Sequence, residues 1–520
     1  MVKREKQLTH LWELYEGGID YQNRLGLREQ IAQSIRFYEG NQWPSPTENT
    51  KNLPRPVVNI VKQICRSKKS AILSTPARVF YKSYSQGTNV ERFNSFASSV
   101  FKEMGQDSLD RLAIEDGIKK GSYFYHYFWD KDKISLTGKR EGGVSCELID
   151  PLNIFFANPC ELNEQRQRWI LIASQKELSS IISMSRGKIS PEALELDKEE
   201  GGQITLLTRY FRTNGEVFFE VGTKSHIIIP KTSLCPRKDG CDKIMAGLYP
   251  VVAGCYERRE GSIYGISEIE GIIPNQKAIN FNIAMSLLNA QECAWGKYIA
   301  LPGALKNQKI SNVPGQVLID HTGTGTGIRK MEESPLSEVP VNISDRLIEI
   351  TRSVTGSSQL LSGEGLWSNM SGSAIAQLQA QADLPINELR QSFYDAKRRQ
   401  GLVLAQFLKL YYFMREYITT EEREDGAHEI FDVFTSSDYE NSLFDVVVEV
   451  TSGQRSTIAS DISLLDSCLK RGSISLETYI RAYPDSAISN KTELLKHIEL
   501  EKSSEISKLK EEIERLKARA

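Results

Sequence analysis

The chain has no long hydrophobic run. Among its 520 residues no stretch of 18 or more is apolar, so nothing reads as a membrane-spanning helix. Nor does one sign of charge dominate. The formal net charge of −2 excludes a strongly basic nucleic-acid-coating protein, though not local contact. Histidine is scarce: the six (10, 126, 226, 321, 428, 497) are dispersed and form neither HExxH nor a His-Cys pair. The eight cysteines (65, 146, 160, 235, 241, 255, 293, 468) are scattered, which fits free thiols in a reduced, intracellular protein better than a disulfide scaffold. Cys235 and Cys241 in CPRKDGC are too widely spaced for half a zinc knuckle, and no second Cys/His pair balances them. No GxSxG occurs. GTGTGIRK at 323–330 has the glycines of a phosphate loop without the Lys-Ser/Thr that must follow them in frame, and no helix follows to hold phosphate. The acidic stretch 421–449 lacks EF-hand spacing. No catalytic residue, cofactor or metal site is therefore assigned. The N-terminal MVKREKQLTHLWELYEGG has no apolar core of a secretory signal.

What is present is an ordinary globular composition, 40% apolar and 25% charged, in a chain long enough for two to four structural units. Periodicity predicts two helices over 5–39, separated at Gly17-Gly18, then a helix from Val57 to Leu73 stopped by Thr75-Pro76. Residues 49–90 form a basic island, with eight Lys/Arg and no Asp or Glu. It reads either as a solvated or subunit-contacting face, or as a contact for nucleic acid or an acidic neighbour. Helices follow at 90–104 and 107–119. The aromatic stretch 121–130 is strand-like, 144–159 reads as strand, turn and strand, and 169–174 is a short buried strand. A hairpin spans 203–221 around Asn214-Gly215, and SHIIIP adds another strand.

Residues 256–293 organise the rest. Ser267 supplies an N-cap and Glu268 and Glu270 follow it where the helix dipole favours carboxylates. Apolar residues then recur at near-helical spacing, with a kink expected at Pro274 and a longer helix from Asn275. Its other face carries amides, Asn275, Gln276, Asn280, Asn282, Asn289 and Gln291. Periodicity alone fits a surface helix; the amide face also suits the wall of a wet channel. A Gly- and Pro-rich insert at 294–336 has short strands at 298–301 and 316–319, and a shorter helix over 343–356 is capped by Ser344 and ended by Gly356. After a Gly/Ser loop, a helix over 371–416 kinks at Pro385 and carries an apolar stripe that includes Phe393, Phe407 and Met414. It would be roughly 60–70 Å long, with its stripe given to core packing. Residues 456–520 read as helical with breaks at Gly472 and Tyr483-Pro484, and end in two heptads too short for an isolated coil.

This order of elements resembles the portal proteins of tailed double-stranded DNA bacteriophages, most closely the podovirus type. The residues that carry the resemblance are RFYEGNQWP (36–44), ELIDPLNIFFANP (147–159), YGISEIEGIIPNQKAIN (264–280) and SGSAIAQLQAQADLPINELRQSF (371–393). The resemblance implies an α+β, predominantly helical fold. Its parts would be a wing (1–265 and 371–455), a stem helix (266–293), a clip (294–341) and a second stem helix (342–355). A tunnel loop (356–370), a crown (456–500) and a C-terminal helical tail (501–520) complete it. It further implies a homo-oligomeric ring of twelve copies in the virion, packaging and ejecting double-stranded DNA. Its partners would be the terminase large subunit, a tail adaptor, and the major capsid and scaffolding proteins, with no membrane.

On this reading the DNA-channel candidates are Asn275, Asn282, Asn289, Gln359, Glu364 and Trp367. A channel must not grip a duplex, and 356–370 carries one charge, Glu364. Lys306, Lys309, Arg329 and Lys330 are candidates for motor, adaptor or DNA contact, or for intersubunit ion pairs. Lys68, Lys69, Phe393 and Phe407 are subunit-contact candidates, with the basic island expected to meet the acidic run 421–449 across subunits. Two other classes stay open: an intracellular scaffold or adaptor, and a metal-dependent DNA-processing enzyme using acids such as Asp432 and Asp445.

Overall fold

The computed structural model describes residues 2–356, 384–450 and 465–480, less 49, 76, 85–88, 135–137, 139, 186–188, 199–200, 236–244, 295–297, 307–308, 310–316, 318, 324, 331–338, 424–425, 441 and 476–477. The fold is α+β with substantial helical content. The first helix, α1 (Val2–Arg24), runs straight through Gly17-Gly18, and the break to α2 (Leu27–Glu39) comes at Gly26, whose φ is 69°. Gly18 is needed inside the helix: a Cβ there would lie 2.4 Å from the ring of Phe155. The expected separation at 17–18 is corrected accordingly. Helix α3 (Ile60–Leu73) is capped by Asn59, and β1 (Ala77–Ser83) follows it. Next come α4 (Val90–Glu103) and α5 (Gln106–Lys120), close to their expected bounds.

Two antiparallel sheets form the middle of the chain. In one, β2 (Ser122–Asp130) lies between β3 (Gly143–Ile149) and β9 (Val251–Cys255). In the other, β4 (Ile154–Phe156), β5 (Trp169–Lys176), β6 (Ile204–Thr213), β7 (Glu216–Gly222) and β8 (Ile227–Ser233) pair in sequence order. The β6–β7 turn places Asn214 and Gly215 at φ 53° and 85°, the left-handed pair that a two-residue hairpin requires. Two short helices between β5 and β6, α6 (Leu178–Ser185) and α7 (Pro191–Glu195), pack a small apolar cluster against the second sheet.

Three long helices follow: α8 (Glu268–Ala294), α9 (Val339–Val354) and α10 (Leu384–Tyr411). Of the expected long helix, 371–383 lies outside the described residues. Its C-terminal end is corrected to Tyr411, because Met414 already belongs to β12 (Met414–Arg423), which forms a hairpin with β13 (Gly426–Thr435). The apolar stripe of α10 does become core. Ile386, Ala396, Val403, Leu404, Phe407 and Leu408 are all at most 1% exposed.

The last described strand, β14 (Phe444–Val450), pairs antiparallel with β1, so that Arg78 lies opposite Glu449 and Lys82 opposite Asp445. This two-stranded ribbon lies on α10 at Gly401, where an added Cβ would sit 2.7 Å from both Val79 and Val446. Stacked rings tie α4 to the same region, Phe96 on Phe434 and Phe93 on Phe444, each at 4.1 Å. The basic island and the acidic run therefore meet within one chain through β1–β14, and Arg92, just past the island, adds a pair with Asp432 at 3.0 Å. The expectation that they meet across subunits is corrected to that extent. Of 456–520, residues 465–470 are helical and Gly472 breaks them at φ 69°; 481–520 lie outside the described residues.

Candidate functional site: the α8–α9 helical pair

Helix α8 starts as its sequence predicts. The Ile269 N–H donates to Ser267 Oγ at 3.0 Å, and the Ser267 N–H reaches Glu270 Oε1 at 3.4 Å, a reciprocal cap. Pro274 sits one turn further on inside a helix that is continuous from Glu268 to Ala294, so the expected restart at Asn275 is not seen. At 1.5 Å per residue, α8 is roughly 40 Å long. Its N-terminal half is fixed in the body by Ile269, Ile272, Ile273 and Ile279, all buried.

The amides divide into two sets. Gln276 and Asn280, one turn apart, are 0% and 3% exposed and do not face solvent as expected. Gln276 Oε1 accepts from the N–H groups of Ile60 and Val61 at 3.1 and 3.4 Å, two of the first donors of α3, of which Ile60 also reaches the Val58 carbonyl at 2.9 Å. Its Nε2 donates to the Val58 carbonyl at 2.7 Å, and Asn280 Nδ2 donates to Gln42 Oε1 at 2.6 Å. These two residues lock α8 to the N-terminal segment, a role that sequence reading missed. The available signal was an amide pair spaced i, i+4 inside the apolar stripe. Asn275, Asn282 and Asn289 recur every seven residues and so share another stripe, and each is half-buried. Asn275 Nδ2 donates to Thr351 Oγ1 of α9 at 3.0 Å. Gln359, Glu364 and Trp367 lie outside the described residues.

Helix α9 begins at Val339, earlier than expected, so Ser344 is not its cap; Ser344 Oγ donates to the Pro340 carbonyl one turn back, at 2.8 Å. It ends as expected at Gly356, whose φ is 67°. Beyond the body both helices present apolar side chains to solvent. Phe281, Met285 and Leu287 are 39–51% exposed on α8, and Val341, Ile343, Ile350 and Val354 are 45–80% exposed on α9. A groove of about 620 Å³ beside α8 is lined by Phe37, Trp43, Pro44 and Phe281.

Between the two helices, β10 (Tyr298–Ala300) pairs antiparallel with β11 (Ile328–Lys330). Of the strand expected at 316–319, residues 316 and 318 lie outside the described residues. The glycine run serves as a turn: Asp320 accepts from the N–H of Thr322 at 2.8 Å and of Gly327 at 2.9 Å, and the Thr322 hydroxyl donates to it at 2.6 Å. These bonds hold its carboxyl below the usual carboxylate range, the Thr322 hydroxyl foremost. Lys306, Lys309 and Arg329 are exposed, and Lys330 is the last residue of β11.

The subunit-contact candidates are all engaged inside the chain. Lys68, 7% exposed, pairs with Glu268 at 2.7 Å, and Lys69 pairs with Glu115 at 2.5 Å. Phe393 and Phe407, 7% and 0% exposed, belong to the core. Burial removes Lys68 and both phenylalanines from any surface a neighbour could touch. The acids considered for metal are also occupied: Asp432 bonds Arg92 and Tyr417, and Asp445 bonds Arg398. Among the described residues no three His, Cys, Asp or Glu side chains gather as a metal ion would need.

Residues 240–462 match the family model of the phage P22-like portal protein. The matched stretch takes in β9, α8, β10–β11, α9, α10 and the hairpin with β14, while residues before 240 lie outside it. It covers less than half of the chain and supports a general portal role for it. No curated protein matches the chain.

Proposed function

We propose that this chain is a portal subunit, a non-enzymatic ring component at one vertex of a phage capsid. The observation that carries the reading is the position of the family match. It spans the α8–β10/β11–α9 excursion, whose two helices leave apolar side chains uncovered. Such a surface on a single copy asks for cover, and head-to-tail contacts between identical copies close into rings. On this reading α8 and α9 are the stem and 294–341 the clip. The wing comprises 1–265 and 371–455, the tunnel loop is 356–370, and the crown and tail follow at 456–500 and 501–520. The groove at Phe37, Trp43 and Phe281 takes a stem side chain of the next copy.

Asn275, Asn282 and Asn289 form a hydrogen-bonding but uncharged stripe, suited to a wall along which a duplex slides without salt-dependent adhesion. Gln359, Glu364 and Trp367 stand at the constriction. Lys306, Lys309, Arg329 and Lys330 meet the terminase large subunit during packaging and a tail adaptor afterwards. The ring sits in the virion among the major capsid and scaffolding proteins, in twelve copies. Negative-stain images of the purified protein test this: rings with a central hole wide enough for a B-form duplex are expected. Filaments, or a monomer at micromolar concentration under assembly conditions, would overturn it.

A further inference from the structure

The ribbon β1–β14 has one edge uncovered. Successive residues of a strand turn their main-chain groups to opposite edges. The Tyr84 N–H, continuing β1, donates to the Leu443 carbonyl on the β14 side, so even-numbered residues serve β14. Tyr81 faces the other way and is satisfied by one side chain. Its N–H donates to Asn94 Oδ1 at 2.7 Å and its carbonyl accepts from Asn94 Nδ2 at 3.1 Å. The Asn94 carboxamide thus makes the two bonds that the N–H and C=O of one residue of an added antiparallel strand would make. The next positions on this edge, Val79 and Ala77, receive no such bonds from any described residue.

This open edge forms one side of a half-open cleft of about 730 Å³, whose other walls are α4 and the start of α5. Arg78, Lys102 and Arg111 line it, all exposed and with no ion pair among the described residues, together with the hydroxyls of Ser95, Ser98, Ser99 and Ser108. Lys397 is neutralised by Asp110, which leaves Asp107 as the acidic side chain in the lining. Natural edge strands are blunted by charged residues, which here are all of one sign: Arg78 and Lys82 repel a cationic strand and attract an acidic one.

We propose that this cleft binds an extended acidic peptide of a partner protein by strand addition at Ala77 and Val79. Main-chain bonds supply the register, and Arg78, Lys102 and Arg111 select carboxylate side chains. A phosphate ligand would use the cations and hydroxyls but leave the strand edge unpaired. The residues proposed to hold the peptide, from Ala77 to Arg111, lie before residue 240, and the proposal stands independently of the ring.

The test is fluorescence anisotropy on the full-length protein with a labelled nine-residue peptide of alternating Glu and Thr. Three controls accompany it: the Gln/Thr counterpart, the Glu/Thr peptide N-methylated at alternate backbone nitrogens, and competition by inorganic phosphate and short duplex DNA. Saturable binding of the Glu/Thr peptide is expected, weakened at least tenfold by the Gln exchange, by N-methylation and in R78E/R111E. Equal binding of the N-methylated peptide overturns strand addition. Displacement by phosphate or duplex at concentrations matched in charge overturns the peptide as ligand. Loss of oligomers in R78E/R111E without any peptide binding to the wild-type protein assigns the cleft to contact between copies. If R78E/R111E does not fold, the N-methylated probe against wild-type protein still decides.

Discussion

Lys68 and Glu268 lie two hundred positions apart and form an ion pair at 2.7 Å, each side chain no more than 10% exposed. The second carboxylate oxygen of Glu268 accepts from Tyr256 at 2.9 Å, so the first residue of α8 is held from two directions. Removing one partner strands the other charge in the interior. K68M should therefore destabilise by about 3–5 kcal/mol, and K68M/E268Q by clearly less than the sum of the single changes. Urea unfolding of the four proteins gives the coupling. Strict additivity would show that the pair carries no mutual stabilisation.

Gln276 joins α8 to the start of α3 through bonds to Val58, Ile60 and Val61. Q276L keeps the volume but strips the Val61 N–H of its partner and leaves Ile60 N–H and the Val58 carbonyl only their bond to each other, at a cost of about 1–3 kcal/mol. N282A, on the half-buried stripe, should change stability by no more than about 0.5 kcal/mol. Thermal melts separate the two amides.

Gly401 gives a case where two effects oppose each other. Replacing glycine by alanine inside a helix ordinarily stabilises by about 1 kcal/mol. Here the new methyl would sit 2.7 Å from Val79 and from Val446, both held by the β1–β14 ribbon. Overpacking of that kind costs about 1–3 kcal/mol, so G401A should be net destabilising. A rise in melting temperature would show that the ribbon yields easily.

Glu115 bridges Lys119 and Lys69. Burial pushes its carboxyl up, but the hydrogen bonds from Lys119 and Lys69 outweigh it and hold the group below the usual carboxylate range. A carboxyl depressed in the folded state stabilises above its unfolded pKa, near 4.3, and loses that contribution as pH falls through the folded value. E115Q should cost under about 1 kcal/mol at pH 7, since the site is partly open to solvent, and less still by pH 3. A difference that grew towards low pH would contradict the assignment.

Cysteine reactivity provides a check on the core. Burial, aided by the Glu268 carboxylate, pushes the Cys65 thiol up to about 12, whereas Cys160 is exposed. Iodoacetamide at pH 8 should label Cys160 and spare Cys65 until denaturant is added. Peptide mapping by mass spectrometry reads the result.

How far these features were legible depended on whether their cause was local. Asn214-Gly215 announced a hairpin because the left-handed turn is a property of those two residues. The caps at Ser267 and Asn59 were equally local, although only the first was anticipated. Gly18 misled because its reason, the ring of Phe155, lies far along the chain. Composition also hid β1: Arg78 and Lys82 coloured the segment as a charged face, while Val79 and Tyr81 between them alternate inward as a strand requires. The acids opposite them, Asp445 and Glu449, alternate with valines for the same reason. In composition alone an amphipathic ribbon is indistinguishable from two charged patches. In the same way Gln276 looked solvent-facing because the groups it satisfies belong to residues 58–61.

The β1–β14 pairing also governs the order in which the molecule is made. Strand β1 leaves the ribosome early, but its partner follows after more than three hundred and fifty further residues, 84–443. Until β14 emerges, Tyr81 lacks its partner strand and Phe93 lacks the stacked ring of Phe444. Closing so long a loop costs chain entropy before its contacts reward it, and a nascent chain interrupted before that point leaves aromatic side chains exposed. Completion of translation thereby becomes a condition for covering these rings, and a truncated chain carries its incompleteness on its surface as exposed aromatics.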